Sequence, residues 1–80
     1  MLIVEFEWDD DNLAHLAERG LDPLDISAML ESRITVVRNK RAGSGHYKFY
    51  GRGRGGQPLL VVVARTGVPG RWRPITGRAS

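Results

Sequence analysis

Leu59-Leu60-Val61-Val62-Val63-Ala64 is the longest unbroken apolar run in the chain. Six residues are too few for a buried helix and fit a strand, and a strand apolar on both sides reads as central, covered on both faces. Outward from it the chain alternates between turns and half-apolar segments. On the C-terminal side, Gly67-Val68-Pro69-Gly70 turns the chain and Arg71 to Thr76 reads as a last strand. Pro74 offers no backbone N–H, so that strand is expected at an edge or irregular at that point. On the N-terminal side, Gly53-Arg54-Gly55-Gly56 reads as a turn after a strand over His46 to Arg52. Alternation sends His46, Lys48, Tyr50 and Arg52 to one face, and Tyr47 and Phe49 to the other. Ile34-Thr35-Val36-Val37 precedes it as a further strand, with a polar, basic loop from Asn39 to Gly45 between the two.

Before Ser32 the pattern is helical. Leu2 to Trp8 alternates as a strand, with Val4, Phe6 and Trp8 opposite Glu5 and Glu7. Asp9 then suits an N-cap, with Asp10 and Asp11 in the first turn, where the helix dipole favours negative charge. Leu13, Leu16 and Ala17 supply an apolar stripe and Gly20 a C-terminal stop. Asp22-Pro23 restarts a helix as N-cap and N1, and Leu24, Ala28, Met29 and Leu30 carry it to about Ser32. The order is βααββββ: an α+β domain over residues 1–80, two N-terminal helices packed on one face of a twisted antiparallel sheet.

Charge divides along the same line. Residues 1–32 hold nine acids and one arginine, a formal −8, while residues 33–80 hold eleven lysines and arginines, +11. The net +3 understates this, because fields act within about 10 Å in ordinary salt. A β-rich surface carrying that much arginine is suited to phosphate. Eighty residues bury roughly 60% of the unfolded chain's surface, a sufficient but small core. With no cysteine there is neither a disulfide nor a thiolate metal site. The apolar opening is cut short by Glu5 and Glu7, and no run reaches the ~20 residues of a membrane span. These features predict a soluble, cytoplasmic protein without membrane association.

Three stretches in order resemble the BrnT family, ribonuclease toxins of type II toxin–antitoxin systems with a RelE-like fold. Phe6-Glu7-Trp8-Asp9, followed by Asn12 and Gly20-Leu21, is similar to the family's opening. Tyr50-Gly51-Arg52 before the apolar strand is similar to its central hairpin, and Arg71-Trp72-Arg73-Pro74-Ile75-Thr76-Gly77-Arg78 to its ending. Gly77 stands where the family usually has alanine. The resemblance implies metal-independent endoribonuclease activity on mRNA that blocks translation, with no cofactor. It also implies neutralisation by a BrnA-like antitoxin and contact with DNA only through that complex.

Such cleavage needs a proton acceptor for the 2′-OH, a donor for the leaving oxygen, and cations for the phosphorane. Arg73 and Arg78, which match the closing motif, are the first candidates for phosphate contact, because arginine binds phosphate bidentately and stays charged. Regular alternation would place them on opposite faces, and a bulge at Pro74 or Gly77 would bring them together. Arg52 matches the hairpin and shares a face with His46 and Lys48. His15, with Asp11 at i−4, is one candidate imidazole, and His46, beside Lys48 and Arg52, is the other. Lys48, Arg54, Arg71 and Tyr50 are expected RNA contacts, Tyr50 by stacking. Asp9, Asp10 and Asp11 are explained as a helix start, so no metal site is expected. The glycine series from Gly51 to Gly56 leads into a strand, which excludes a nucleotide-binding loop. The alternative to a nuclease is a non-catalytic module of the same fold that binds RNA or a partner protein.

Overall fold

The computed structural model describes residues 1–39 and 46–80. Its elements are β1 (Glu5–Phe6), α1 (Asp10–Glu18), α2 (Pro23–Ala28) continued by a 3-10 turn (Met29–Glu31), β2 (Thr35–Arg38), β3 (Tyr47–Arg52), β4 (Pro58–Arg65) and β5 (Arg71–Ala79). They form an α+β domain with a five-stranded sheet in the order β1-β5-β4-β3-β2. β2 to β5 make an antiparallel meander with β4 at its centre. Of the predicted basic loop from Asn39 to Gly45, all but Asn39 lies outside the described residues.

The sheet is mixed, not antiparallel as expected. β1 pairs in parallel with β5, Glu5 opposite Arg71 and Phe6 opposite Trp72. A parallel neighbour needs a long crossover, and here everything from α1 to β4 supplies it. β1 is also shorter than the alternation of residues 2–8 suggests, although Val4 and Glu7 extend it by donating to the carbonyls of Gly70 and Trp72 (both 2.8 Å).

α1 begins with a capping box. Asp9 accepts from the Asn12 backbone N–H, and the Asn12 side chain accepts from that of Asp9, both at 2.9 Å. It ends in a Schellman motif: Gly20 adopts φ 73°, its N–H donates to Ala17, and that of Leu21 donates to Leu16. Leu16 and Leu21 then enter the core together. The buried stripe of α1 is Asn12 and Leu16; Ala17, expected there, is exposed. In the second helix Ile26 and Met29 are buried, while Leu24 is 61% exposed. Asp22 caps it through Leu24 N–H at 2.8 Å.

Phe6, Leu16, Leu21, Ile26, Met29, Phe49, Leu59, Val61, Val63 and Trp72 make the core on one side of the sheet, with Trp8 packed against it. Full burial of each large side chain contributes about 1.5–3 kcal/mol. The opposite side of β4 carries Leu60, Val62 and Ala64. Leu60 is only 6% exposed yet stands outside that core. Val62 and Ala64 are partly exposed, so β4 is central with one face fully packed and the other only partly covered. No helix there is long and apolar enough to cross a membrane.

Candidate functional site

β5 departs from regular alternation at one place. Val63 faces Pro74 and Val62 faces Thr76, so Ile75 is an extra residue on β5. Pro74 turns inward and is fully buried. Beyond the bulge the alternation resets: Arg73 faces Ala64, Thr76 faces Val62 and Arg78 faces Leu60. Arg73, Thr76 and Arg78 therefore share the outer face. Their partners Ala64 and Leu60 place the two arginines about 14 Å apart along the sheet, at ~3.4 Å per residue.

The irregularity is where α1 joins the sheet. β1 pairs only as far as Trp72, which leaves the next part of the β5 edge to α1. Asn12, 3% exposed, donates its side-chain amide to the carbonyls of Glu7 (2.9 Å) and Pro74 (3.0 Å). One turn later, His15 Nε2 lies 3.2 Å from Thr76 Oγ1. Asp11, Asn12, His15, Arg73 and Ile75 line the resulting cleft of about 280 Å³. His15 and Arg73, read from opposite ends of the sequence, are thus brought together.

Arg73 is half-buried and held. Its guanidinium donates to Asp9 Oδ2 and lies 3.7 Å from Glu7 Oε2. Asp9 uses its other oxygen to cap α1, so the helix start and the Arg73 head group share one carboxylate. Arg71 sits between Glu5 and Glu7, 3.7 Å from each, and its buried Nε has no hydrogen-bond acceptor. Both arginines are neutralised by the acids that the parallel β1 brings alongside.

The other candidates are dispersed over the molecule. Lys48 stands between Val37 and Val62, and Tyr50 between Thr35 and Leu60. Arg52 Nη1 donates to the Gly56 carbonyl at 2.8 Å. His46 precedes β3 and accepts from Asn39 N–H through its own carbonyl (2.9 Å), so it belongs to the β2–β3 end and does not line the His15 cleft. Arg54 is tied to Asp25 (2.9 Å) and Asp22 (3.0 Å), fastening the start of α2 to the turn after β3. The Arg54 hydrogen bonds hold the Asp25 carboxyl below its usual range. Arg78 has no carboxylate partner among the described residues. It lines a smaller hollow, about 130 Å³, with Arg19, Leu60, Val62, Thr76 and Gly77.

Sequence reading passed over Asn12 and Thr76 as site residues. A detectable signal existed for Asn12, since an aspartate N-cap with a reciprocating residue at N3 is a capping-box pattern. Thr76 had none, because its position depends on the bulge. Among the described residues no group of three or more His, Asp and Glu side chains could hold a metal. Compared with models of protein families, with curated proteins and with solved structures, the chain matches none.

Proposed function

We propose that this chain is a metal-independent endoribonuclease of the BrnT toxin type, acting on mRNA in the cytoplasm and neutralised by a BrnA-like antitoxin. The observation that supports it most is the bulge at Ile75, which gives Arg73, Thr76 and Arg78 one face and sets Arg73 in a cleft with His15. The two helices over a meander sheet suit a RelE-like assignment. In this reading His15 accepts the proton of a ribose 2′-OH, whose oxygen attacks the adjacent phosphorus. Arg73 stabilises the charge that gathers on the phosphoryl oxygens. The bond to the 5′-oxygen breaks as that oxygen takes a proton from solvent, leaving a 2′,3′-cyclic phosphate and a 5′-hydroxyl. Asp9 and Glu7 restrict the Arg73 head group before substrate arrives, which lowers the ordering cost of binding. Arg78, some 14 Å along the sheet, holds a neighbouring phosphate. The antitoxin covers the outer face and carries whatever DNA contact the complex makes.

A second reading is favoured by the same ion pairs. The charge of Arg73 is already answered by Asp9 and Glu7, which suits a non-catalytic module that binds RNA or a partner chain. Incubating total RNA with the protein in EDTA separates the two. Cleavage by the native chain, lost in His15→Ala and in Arg73→Ala/Arg78→Ala, supports the nuclease. Intact RNA throughout, with binding that weakens as salt rises, supports the binding module.

A further inference from the structure

A second hollow on the molecule, of about 320 Å³, is lined by Arg33, Thr35, Tyr50, Gly51, Arg52 and Pro58. It lies where β2 begins and β3 ends, across the sheet from the His15 cleft. Two arginines line it and no acidic residue does. Elsewhere among the described residues, Arg71 and Arg73 are held by Glu5, Glu7 and Asp9, Arg54 by Asp22 and Asp25, and Arg65 by the Tyr47 hydroxyl and the rings of Tyr47 and Trp72. Arg33 has no ion pair or hydrogen bond among the described residues, and neither the Tyr50 nor the Thr35 hydroxyl has a hydrogen-bond partner there. Two cations, two free hydroxyls and an aromatic ring without an aromatic neighbour thus border one open cavity.

The hollow is also built. Gly51 allows the end of the 3-10 turn to close on β3: a Cβ there would meet Ser32 Oγ at 3.0 Å and the Met29 terminal methyl at 3.1 Å. Ser32 Oγ donates to the Met29 carbonyl (2.8 Å) and accepts from Arg52 N–H (3.2 Å), fixing the chain on either side of Arg33 and Arg52. The Arg52 side chain is steadied by Gly56 O. An acidic protein segment docking by apolar burial would gain little here, because Leu60 is already buried and, among the described residues, Val37 is the one strongly exposed apolar residue of the outer face.

We propose that this hollow is a nucleotide site: Arg33 and Arg52 take a phosphate, Thr35 and Tyr50 supply hydroxyls to it, and a planar base lies on the Tyr50 ring. It stands apart from the cleft of His15 and Arg73, and it binds whether or not that cleft cuts. The nucleotide comes either from solution or from an RNA chain extending across the sheet.

Amide NMR titrations test this with three probes: inorganic phosphate, adenosine 5′-monophosphate and a short single-stranded oligoribonucleotide. The monophosphate is expected to shift the amides of Thr35, Gly51 and Arg52. Arg33→Gln, which breaks no hydrogen bond of the fold, should weaken it at least about tenfold, the loss of one charge-assisted pair. Tyr50→Leu should weaken the nucleotide about fivefold or more and leave inorganic phosphate unchanged. Shifts at Gly51 from the oligoribonucleotide alone, lost in Arg33→Gln, also sustain the site and assign it to an RNA chain. Unmoved amides at Gly51 with every probe, or Arg33→Gln binding as tightly as the native chain, would overturn it. So would polyglutamate competing equally well with Tyr50→Leu and with native protein, which would assign the hollow to an acidic protein. Binding here without RNA cleavage sustains this site and refutes the nuclease reading, and cleavage without binding here does the reverse.

Discussion

Replacing Asn12 should cost far more than an exposed position early in a helix would suggest. Its side chain makes three hydrogen bonds: it accepts from Asp9 N–H and donates to the carbonyls of Glu7 and Pro74. Asn12→Ala leaves both carbonyls without a donor, at about 1–3 kcal/mol for each buried group, and removes half of the capping box, about 1 kcal/mol. Partial entry of water brings the expected total to about 3 kcal/mol. A domain of 80 residues at roughly 0.05–0.15 kcal/mol per residue has only about 4–12 kcal/mol to lose. The thermal midpoint should fall by about 12–24 °C, at 4–8 °C for each kcal/mol in a domain of this size.

Urea and thermal unfolding of Asn12→Ala and Asn12→Leu, followed by circular dichroism, measure it. Leucine refills the volume and restores none of the hydrogen bonds. If packing held α1 to β5, Asn12→Leu would return to within about 1 kcal/mol of the native protein. That result would refute the lock. If hydrogen bonding holds it, both variants fall together. His15 should then lose its Thr76 partner, because Asn12 is what fixes α1 at the bulge.

Gly77→Ala should destabilise by about 1–3 kcal/mol, because a Cβ there would stand 2.7 Å from the Leu60 carbonyl oxygen and 3.1 Å from Leu21 Cδ1. An unchanged urea midpoint would mean that β4 and β5 yield at this point, and alanine, usual here in the resembled family, would then be equally at home. Arg54→Gln should destabilise most at neutral pH and progressively less in acid. Arg54 lowers the Asp25 pKa, so the stability it lends is complete above the ordinary carboxylate range and is lost as pH falls through the lowered value. Urea midpoints of both proteins from neutral pH to about pH 3 follow the difference, and a gap that stays constant across that range refutes the link.

The parts of the fold legible in the sequence are those set by neighbours in the chain. Asp9, Gly20 and the Asp22-Pro23 pair mark both helices because caps are local chemistry. The faces of β3 follow from alternation alone, and Phe49 is buried where period two puts it. What was not legible depends on partners far along the chain. The acceptor of the Asn12 amide on Pro74 is 62 residues away, so a polar residue in a first turn gave no sign of being buried. The bulge is a relation between β5 and β4; sequence could state that the closing arginines needed one, with Pro74 or Gly77 as a place for it, but could not find Ile75. Parallel pairing of β1 leaves no local trace either, yet it delivers Glu5 and Glu7 to Arg71 and Glu7 and Asp9 to Arg73. An apolar run such as Leu59 to Ala64 also cannot show whether its second face is covered by a helix or left beneath a rim of long side chains.

The division of charge along the chain takes on a different meaning once the sheet closes. Five of the nine acids are spent on three arginines: Glu5, Glu7 and Asp9 on Arg71 and Arg73, Asp22 and Asp25 on Arg54. Lys48, Arg33, Arg52 and Arg78 keep no carboxylate among the described residues. The β1 end is therefore locally balanced, and the hairpin end of the outer face holds the unanswered positive charge. Within a screening length of about 10 Å these act as separate regions. In the proposed reading, a polyanion arriving from solution is drawn first to the hairpin end, which Arg33, Tyr50 and Arg52 border. Only then does it meet Arg73, whose charge is shared with two carboxylates and whose contribution depends on position more than on field. That reading divides capture and positioning between different arginines, and the bulge at Ile75 is what keeps both on one face.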